Sequence, residues 1–512
     1  MIRSFLTVST GTLASRLLGF ARDSMIAALL GTGPVADAFL AAFQLVNVIR
    51  RLLTEGALNA ALVPAWLRLR ETGAVEAAAF AGRVLATIST ALIAASILLG
   101  VLMPLVMTVL APGFAGHETL ELAVSNARLM LPYLAFAGPV TVMLALLSAQ
   151  GRFALTAFSP LLFNIALIAV MIGLLLWHED AATCALVLAA TVGVAGLLQL
   201  LMLASRSGRL ARPLRIAFDA EMRGFLAKAL PGMTASAAPQ LLAVGGAIIA
   251  SSSPAAVSWL YFANRLIELP LGIVGVAMGT VLVPELTRAL RGDDRSGMAS
   301  AESRALELAV GLALPATIGL SVLATPIVRL LFQHGAFTSA DTVATAEALT
   351  WLALALPAQV LVKALSPAFF AREDTMAPLV ATLKGLVVAI VAAVVLNHYF
   401  GAAGIAAGIA CGTWSQTLSL IRRGAATFGF SIDDAARRRL PRIVLAALGM
   451  GALLWLAADY APAADARGLA QIAALAILIA GGVAVYGALL VLFGATNWRD
   501  TVNAVRQSAL RG

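Results

Sequence analysis

Long apolar stretches separated by short polar breaks run through almost the whole 512-residue chain. A membrane-spanning helix needs about 20 mostly apolar residues, and the chain offers about fourteen stretches of that kind. The pattern therefore predicts an all-α polytopic membrane protein with about 14 transmembrane helices. The predicted spans are 6–30, 36–66, 79–110, 121–149, 154–177, 181–204, 222–250, 256–287, 304–332, 343–370, 376–398, 402–421, 441–459 and 468–493.

Composition agrees with a lipid environment, since 61% of residues are hydrophobic and only 12% are charged. A soluble chain of this length would carry about 25% charged residues.

Cys184 and Cys411 both lie in apolar stretches and are interpreted as small hydrophobic residues rather than a disulfide. The segment from Met1 to Thr12 lacks an apolar core followed by a cleavage site, so we expect no cleaved signal peptide.

Basic residues fall mainly in alternate predicted loops, and the loops between them carry mostly acidic residues and histidines. Arginine and lysine mark cytoplasmic loops, which places both termini in the cytoplasm. The same distribution accounts for the net charge of +9 without nucleic acid as a partner. The four histidines are far apart in sequence, so no metal site is expected.

Weak internal similarities with a common order indicate two related six-helix halves followed by two extra helices. The matching segments are 56–64 with 276–284, 112–114 with 334–337, and 131–132 with 356–357. An even number of spans per half makes this a parallel repeat, for which the substrate site is expected between the lobes and transport by alternating access. The predicted domains are the lobes 1–215 and 216–430, then 431–512 with two helices and a cytoplasmic tail.

Three predicted spans contain polar stripes at spacings of three, four and seven residues, which fall on one helical face. Their members are Ser15, Arg16, Gly19, Arg22 and Asp23; Asp37, Gln44, Asn47, Arg50, Arg51 and Glu55; and Ser258, Tyr261, Asn264, Arg265 and Glu268. An arginine at the bilayer centre costs about 2.5–3.5 kcal/mol, so these side chains must face an aqueous cavity or one another. Guanidinium groups bind phosphate in bidentate fashion, which favours a diphosphate or similar anion.

Two structural alternatives stay open for these charges. Arg22, Arg50 and Arg51 could extend toward the membrane surface near helix ends. Other charges could form internal ion pairs, namely Arg16 with Asp23, Arg51 with Glu55, and Arg265 with Glu268. Lys363 is a single charge in the tenth span and is a further site candidate.

The run Ser15-Arg16-Leu17-Leu18-Gly19-Phe20-Ala21-Arg22-Asp23 resembles the first-helix signature of the MurJ (MviN) lipid II flippases. These belong to the multidrug/oligosaccharidyl-lipid/polysaccharide exporter superfamily. The similarity covers nearly the whole chain. It continues through Asp37-Ala38-Phe39, Asn47, Arg50-Arg51, Glu55-Gly56, Val63-Pro64, Ser258-Trp259, Tyr261, Arg265-Leu266, Glu268, Pro270, Gly275-Val276-Ala277, Phe337-Thr338, Lys363 and Ala364-Leu365.

The resemblance implies a flippase, not an enzyme, that moves the peptidoglycan precursor lipid II to the outer leaflet of the bacterial cytoplasmic membrane. It implies two six-helix lobes and two C-terminal helices that border a lipid groove. Lipid II and membrane lipids would be the partners, and we expect a monomer. The implied substrate-binding residues are Arg22, Arg50, Arg265, Arg16, Asn47 and Lys363, and the implied gating or coupling residues are Asp37, Glu55, Asp23 and Glu268.

The chain departs from the family pattern at two charged positions. Gln44 stands where the family often has lysine, and Asn264 where it often has aspartate. The seventh span has no carboxylate after Glu221 and the eleventh has Lys384 but no acid, so the resemblance does not support a sodium site there. No cofactor is expected, and the membrane potential or an ion gradient is left as the driving force.

Other functions remain as alternatives. The nearest one is export of another polyprenyl-diphosphate-linked glycan or an anionic amphiphile by the same superfamily. An exporter of cationic drugs should have an acidic cavity, whereas this chain has an excess of arginine. A membrane enzyme acting on polyprenyl carriers would need clustered acidic residues for Mg²⁺, and the sequence has no cluster of that kind. A scaffold without transport would leave the buried charges unexplained.

Overall fold

A computed structural model describes residues 2–54, 57–207, 211, 214–291, 295–370, 372, 374–428, 433–460 and 468–495. Within these residues the chain forms α-helices and one short 3-10 helix, with no β-strand. The helices are α1 Ile2–Leu30, α2 Pro34–Thr54, α3 Ala57–Thr72, α4 Ala74–Leu110, α5 Glu118–Met130, α6 Pro132–Ala149, α7 Phe153–Trp177, α8 Ala181–Ser207, α9 Ala220–Ala250, α10 Ala256–Arg291, α11 Arg295–Val322, α12 Ala324–Phe332, α13 Ser339–Ala353, α14 Leu356–Phe370, α15 Met376–Phe428, α16 Asp434–Tyr460 and α17 Leu469–Leu492; the 3-10 helix is Pro112–Phe114.

Eight helical segments of the described residues are long and apolar enough to cross a membrane, or nine if the bent pair 306–322 and 324–332 forms one span. The fold is therefore that of an all-α, multi-pass membrane protein, as predicted. Helix α2 is not among these segments, because it carries three charged residues, Asp37, Arg50 and Arg51, within 21 residues. The count of fourteen spans stays a prediction.

Two compact units divide the chain. The first contains residues 1–258 and 332–338, and the second contains 259–331 and 339–512. In the first unit α1 packs along α7, α2 along α5, and α6 against α8. In the second, α11 packs on α16, and α13 and α14 pack on α15. The proposed lobe boundary at residue 215 stays a prediction.

Breaks in the helices fall at matching places in the predicted repeat. Pro132 begins α6 directly after Leu131, and Leu356-Pro357 begins α14.

Gly401 has φ 56° inside α15 and divides it into two arms, 376–400 and 402–428. These arms agree with two separately predicted spans. A left-handed φ is accessible to glycine without steric cost.

Small residues bring the helices close together, as is usual where packing must replace the hydrophobic effect. A Cβ at Gly11 would lie 2.7 Å from the Cβ of Ala157, so α1 and α7 are in close contact there. Along α15, Gly404, Gly408 and Gly412 pack on the opposite arm of the same helix, where an added Cβ would meet backbone atoms. These contacts fix the two arms of α15 against each other.

Candidate functional site

Arg22 lies inside the first unit, where its side chain is buried between α1, α2 and α7. The residue is only 8% exposed, and the adjacent Asp23 is fully buried. The guanidinium Nε and Nη2 donate to Asp23 Oδ1 at 2.9 and 2.6 Å, and Nη1 donates to Asn164 Oδ1 at 3.0 Å. Asp23 therefore pairs with Arg22 rather than with Arg16, whose side chain is exposed.

Aromatic rings complete the surroundings of Arg22. Its guanidinium carbon lies 5.1 Å from the ring centre of Phe43 and 5.9 Å from that of Phe163. Asn164 in turn donates to the backbone oxygen of Ser15 at 3.2 Å, which orients its amide oxygen toward Arg22. A cation held by rings and hydrogen bonds is stabilised away from bulk water.

Arg50 lies near the end of α2 and is half-buried. Its Nε donates to Asn47 Oδ1 at 3.4 Å, one helical turn earlier. The structure thus brings Arg50 and Asn47 of the predicted set into contact, while Arg22 lies on α1 of the same unit and Glu55 lies outside the described residues.

The second unit holds Arg265 and Lys363. Arg265 Nη1 donates to Glu268 Oε2 at 2.8 Å, one turn further along α10, and the two side chains are 23% and 28% exposed. This is the ion pair that the sequence offered as a structural alternative, and its partial exposure leaves the guanidinium accessible. Lys363 lies on α14 with an exposed side chain.

Asp37, predicted to gate or couple, forms a buried latch with Ser258 in the first unit. The carboxylate Oδ1 accepts the Ser258 backbone N–H at 2.8 Å and also the Ser258 hydroxyl. Asp37 is 2% exposed and Ser258 is fully buried. The latch joins the first turn of α2 to the first turn of α10.

Two further contacts accompany the latch and correspond to each other in the predicted repeat. The Gly113 N–H donates to Ser251 Oγ at 3.0 Å, where α9 ends. The Ala336 N–H donates to the Ala28 backbone oxygen at 2.8 Å, near the end of α1. In the predicted repeat α1 and α9 begin the two halves, so the loop of each predicted half would bind the end of the first helix of the other within this unit.

Sequence reasoning missed the groups that surround Arg22. Asn164, Phe43 and Phe163 lie on other helices, and nothing in their spacing links them to α1. Among the described residues, no three histidine, cysteine, aspartate or glutamate side chains are placed to hold a metal ion.

Apolar helices of membrane length, packed around the buried Arg22 and the buried carboxylates of Asp23 and Asp37, define the class as a multi-pass helical membrane transporter. A family model described as "Lipid II flippase MurJ" matches residues 26–465. The chain belongs to the MurJ lipid II flippase family, which is a family of transporters and not of enzymes.

Individual relatives support this placement. A probable lipid II flippase MurJ of Rhizobium meliloti (strain 1021) is 36% identical over 525 residues, covering 100% of this chain and 97% of the relative. A solved lipid II flippase MurJ in an inward closed conformation has a TM-score of 0.77 at 24% identity, covering 97% of this chain and 100% of that one.

Multidrug transporters of the MATE family share the fold. An inward-facing structure has a TM-score of 0.65 at 16% identity, covering 86% of this chain and 98% of that one. An outward-facing structure has a TM-score of 0.54 at 17% identity, covering 86% of this chain and 96% of that one.

Proposed function

We propose that this protein flips lipid II from the cytoplasmic to the outer leaflet by alternating access, with Arg22, Arg50 and Arg265 binding the diphosphate. Family membership across residues 26–465 carries this proposal. The chemistry of the site supports it, because guanidinium groups keep their charge and match phosphate oxygens. Arg22 is held by Asp23 and Asn164, while Arg50 and Arg265 are partly exposed.

Alternating access is supported by the shared fold, since related transporters have been solved facing inward and facing outward. In this cycle the Asp37–Ser258 latch closes the outer side while cargo enters from the cytoplasm. Rupture of the latch then accompanies opening to the outside. The protein acts as a monomer in the bacterial cytoplasmic membrane with both termini in the cytoplasm, which terminal reporter fusions would test.

The proposal is tested in cells depleted of their own lipid II flippase, by measuring the lipid-linked precursor exposed on the outer leaflet. The wild-type chain should restore exposure, and Arg22→Ala, Arg50→Ala or Arg265→Ala should abolish it without loss of membrane insertion. Arg215→Ala is the matched control, because Arg215 is an exposed arginine outside the site. Unchanged exposure with the wild-type chain would reject the flippase function, and full activity of all three site variants would reject the binding residues.

A further inference from the structure

A groove of about 1170 Å³ lies within the second unit, whereas the buried Arg22 belongs to the first. Its walls come from α11, α13, α14 and both arms of α15. Along the second arm of α15 the lining extends from Ala403 to Arg423. At 1.5 Å per residue these twenty steps measure about 30 Å, the thickness of the hydrocarbon core.

The groove is apolar along most of its length and basic at one end. Leu396 and Phe400 line it beside the connection between the arms of α15, and Arg422 and Arg423 line the other end. The arginines stand where the loop charges predict the cytoplasmic side. The groove therefore has the polarity of a lipid in the cytoplasmic leaflet, with chains inside and a headgroup at the surface.

Lys384 adds a third cation within the groove. Its neighbour Gly385 packs beside Gly412 and Gln416, which places Lys384 about six residues, or about 9 Å, inward from Arg422 along the arm. A lysine side chain at that depth can extend toward the arginine end. No acidic residue lines the groove, and within the described part of the chain none of the three cations has a carboxylate partner.

The walls of the groove are fixed by contacts on its own elements. Trp414 Nε1 donates to the Leu354 backbone oxygen at 2.9 Å, and Thr417 Oγ1 donates to the Ala358 oxygen at 3.0 Å. Behind the groove, Gly408 holds the two arms of α15 together. The groove is thus a surface cleft with an apolar floor whose helices are joined by hydrogen bonds and close contacts. A cleft of this kind can hold an acyl chain.

We infer that this groove binds an anionic glycerophospholipid of the cytoplasmic leaflet, with its phosphate on Arg422, Arg423 and Lys384 and an acyl chain along α15. Charge complementarity selects the anionic headgroup, because three cations without carboxylate partners favour a phosphodiester with an uncompensated negative charge over a zwitterionic headgroup. The apolar lining of membrane length selects a lipid over a soluble anion. The inference goes beyond the proposed function, since none of the proposed diphosphate-binding residues Arg22, Arg50 and Arg265 lines the groove.

The test uses the full chain in phosphatidylcholine vesicles that contain a small fraction of brominated phosphatidylglycerol or, in parallel, brominated phosphatidylcholine. Bromine quenches tryptophan on contact, and Trp351 and Trp414 line the groove. Brominated phosphatidylglycerol should quench with an apparent affinity about 30-fold higher, equivalent to about 1 kcal/mol for each of two arginines. Trp351→Phe with Trp414→Phe should remove the excess quenching.

Substitutions that remove charge test which residues bind the lipid headgroup. Arg422→Gln with Arg423→Gln should abolish the preference, and Lys384→Gln should reduce it, while Arg437→Gln with Arg438→Gln at the exposed start of α16 should leave it unchanged. Equal quenching by both brominated lipids, or equal loss in the α16 control, would overturn the inference. Displacement by undecaprenyl diphosphate at a far lower fraction than by unlabelled phosphatidylglycerol would also overturn it, by assigning the groove to the cargo. No flipping occurs in this assay, so its failure is distinct from failure of the proposed function.

Discussion

The carboxylate of Asp37 accepts both the backbone N–H and the hydroxyl of Ser258, although the two residues are 221 positions apart. Both residues are buried, so loss of either side chain deprives the other of a hydrogen bond that water does not readily replace. A buried group that loses its partner is destabilised by about 1–3 kcal/mol. The latch therefore holds two helix starts together with an energy large enough to shift a conformational equilibrium.

Weakening the latch should open the first unit at this point. We predict that Asp37→Ala increases maleimide labelling of a cysteine at Ala36, a 1% exposed position, by about tenfold in a background without native cysteines, as expected for a shift of about 1.4 kcal/mol. Ser258→Ala should have a smaller effect, because the backbone N–H still donates to Asp37. An unchanged labelling rate in Asp37→Ala would show that the latch does not limit opening.

Arg22 and Asp23 should behave as a coupled buried pair. Arg22→Gln alone removes the guanidinium that contacts the buried Asp23 carboxylate and should destabilise the protein by about 3–5 kcal/mol. Combined Arg22→Gln and Asp23→Asn should recover most of that loss, because no net charge remains buried. Thermal unfolding in detergent would measure this cycle, and additive effects of the two substitutions would contradict the coupling.

The loop at Gly335 should tolerate no side chain. Gly335 has φ 58°, and a Cβ there would collide with the backbone oxygen of Ala28. We predict that Gly335→Ala lowers the melting temperature and loosens the contact with α1. Gly116→Ala is the matched control, since Gly116 also has a left-handed φ, 80°, but no atom within 4 Å of the added Cβ. Equal effects of the two substitutions would show that backbone strain alone is responsible.

The membrane potential should assist transport of an anionic cargo. Each net negative charge that moves outward gains about 2.3 kcal/mol per 100 mV of inside-negative potential. We predict that valinomycin at high external potassium slows exposure of lipid II, whereas collapse of the proton gradient alone does not. The opposite pattern would indicate coupling to protons.

Apolar runs and helical periodicity were enough to predict the class of protein and the helix faces that carry its charges. Apolar runs of membrane length require helices, because backbone groups in lipid must be paired within the segment. The stripe with Arg22 and Asp23 and the stripe with Arg50 and Asn47 follow from helical periodicity alone.

The packing of the helices against one another determines which charged side chains are neutralised and which residues neutralise them. Sequence spacing allowed Asp23 to pair with Arg16, but rotation of α1 and its packing on α7 place Arg22 against Asp23 and Asn164 instead. The Asp37–Ser258 latch and the basic end of the groove at Arg422 likewise join segments far apart in the chain. Periodicity specifies the face of one helix, whereas the partner on another helix depends on how small residues and ring contacts let the helices pack.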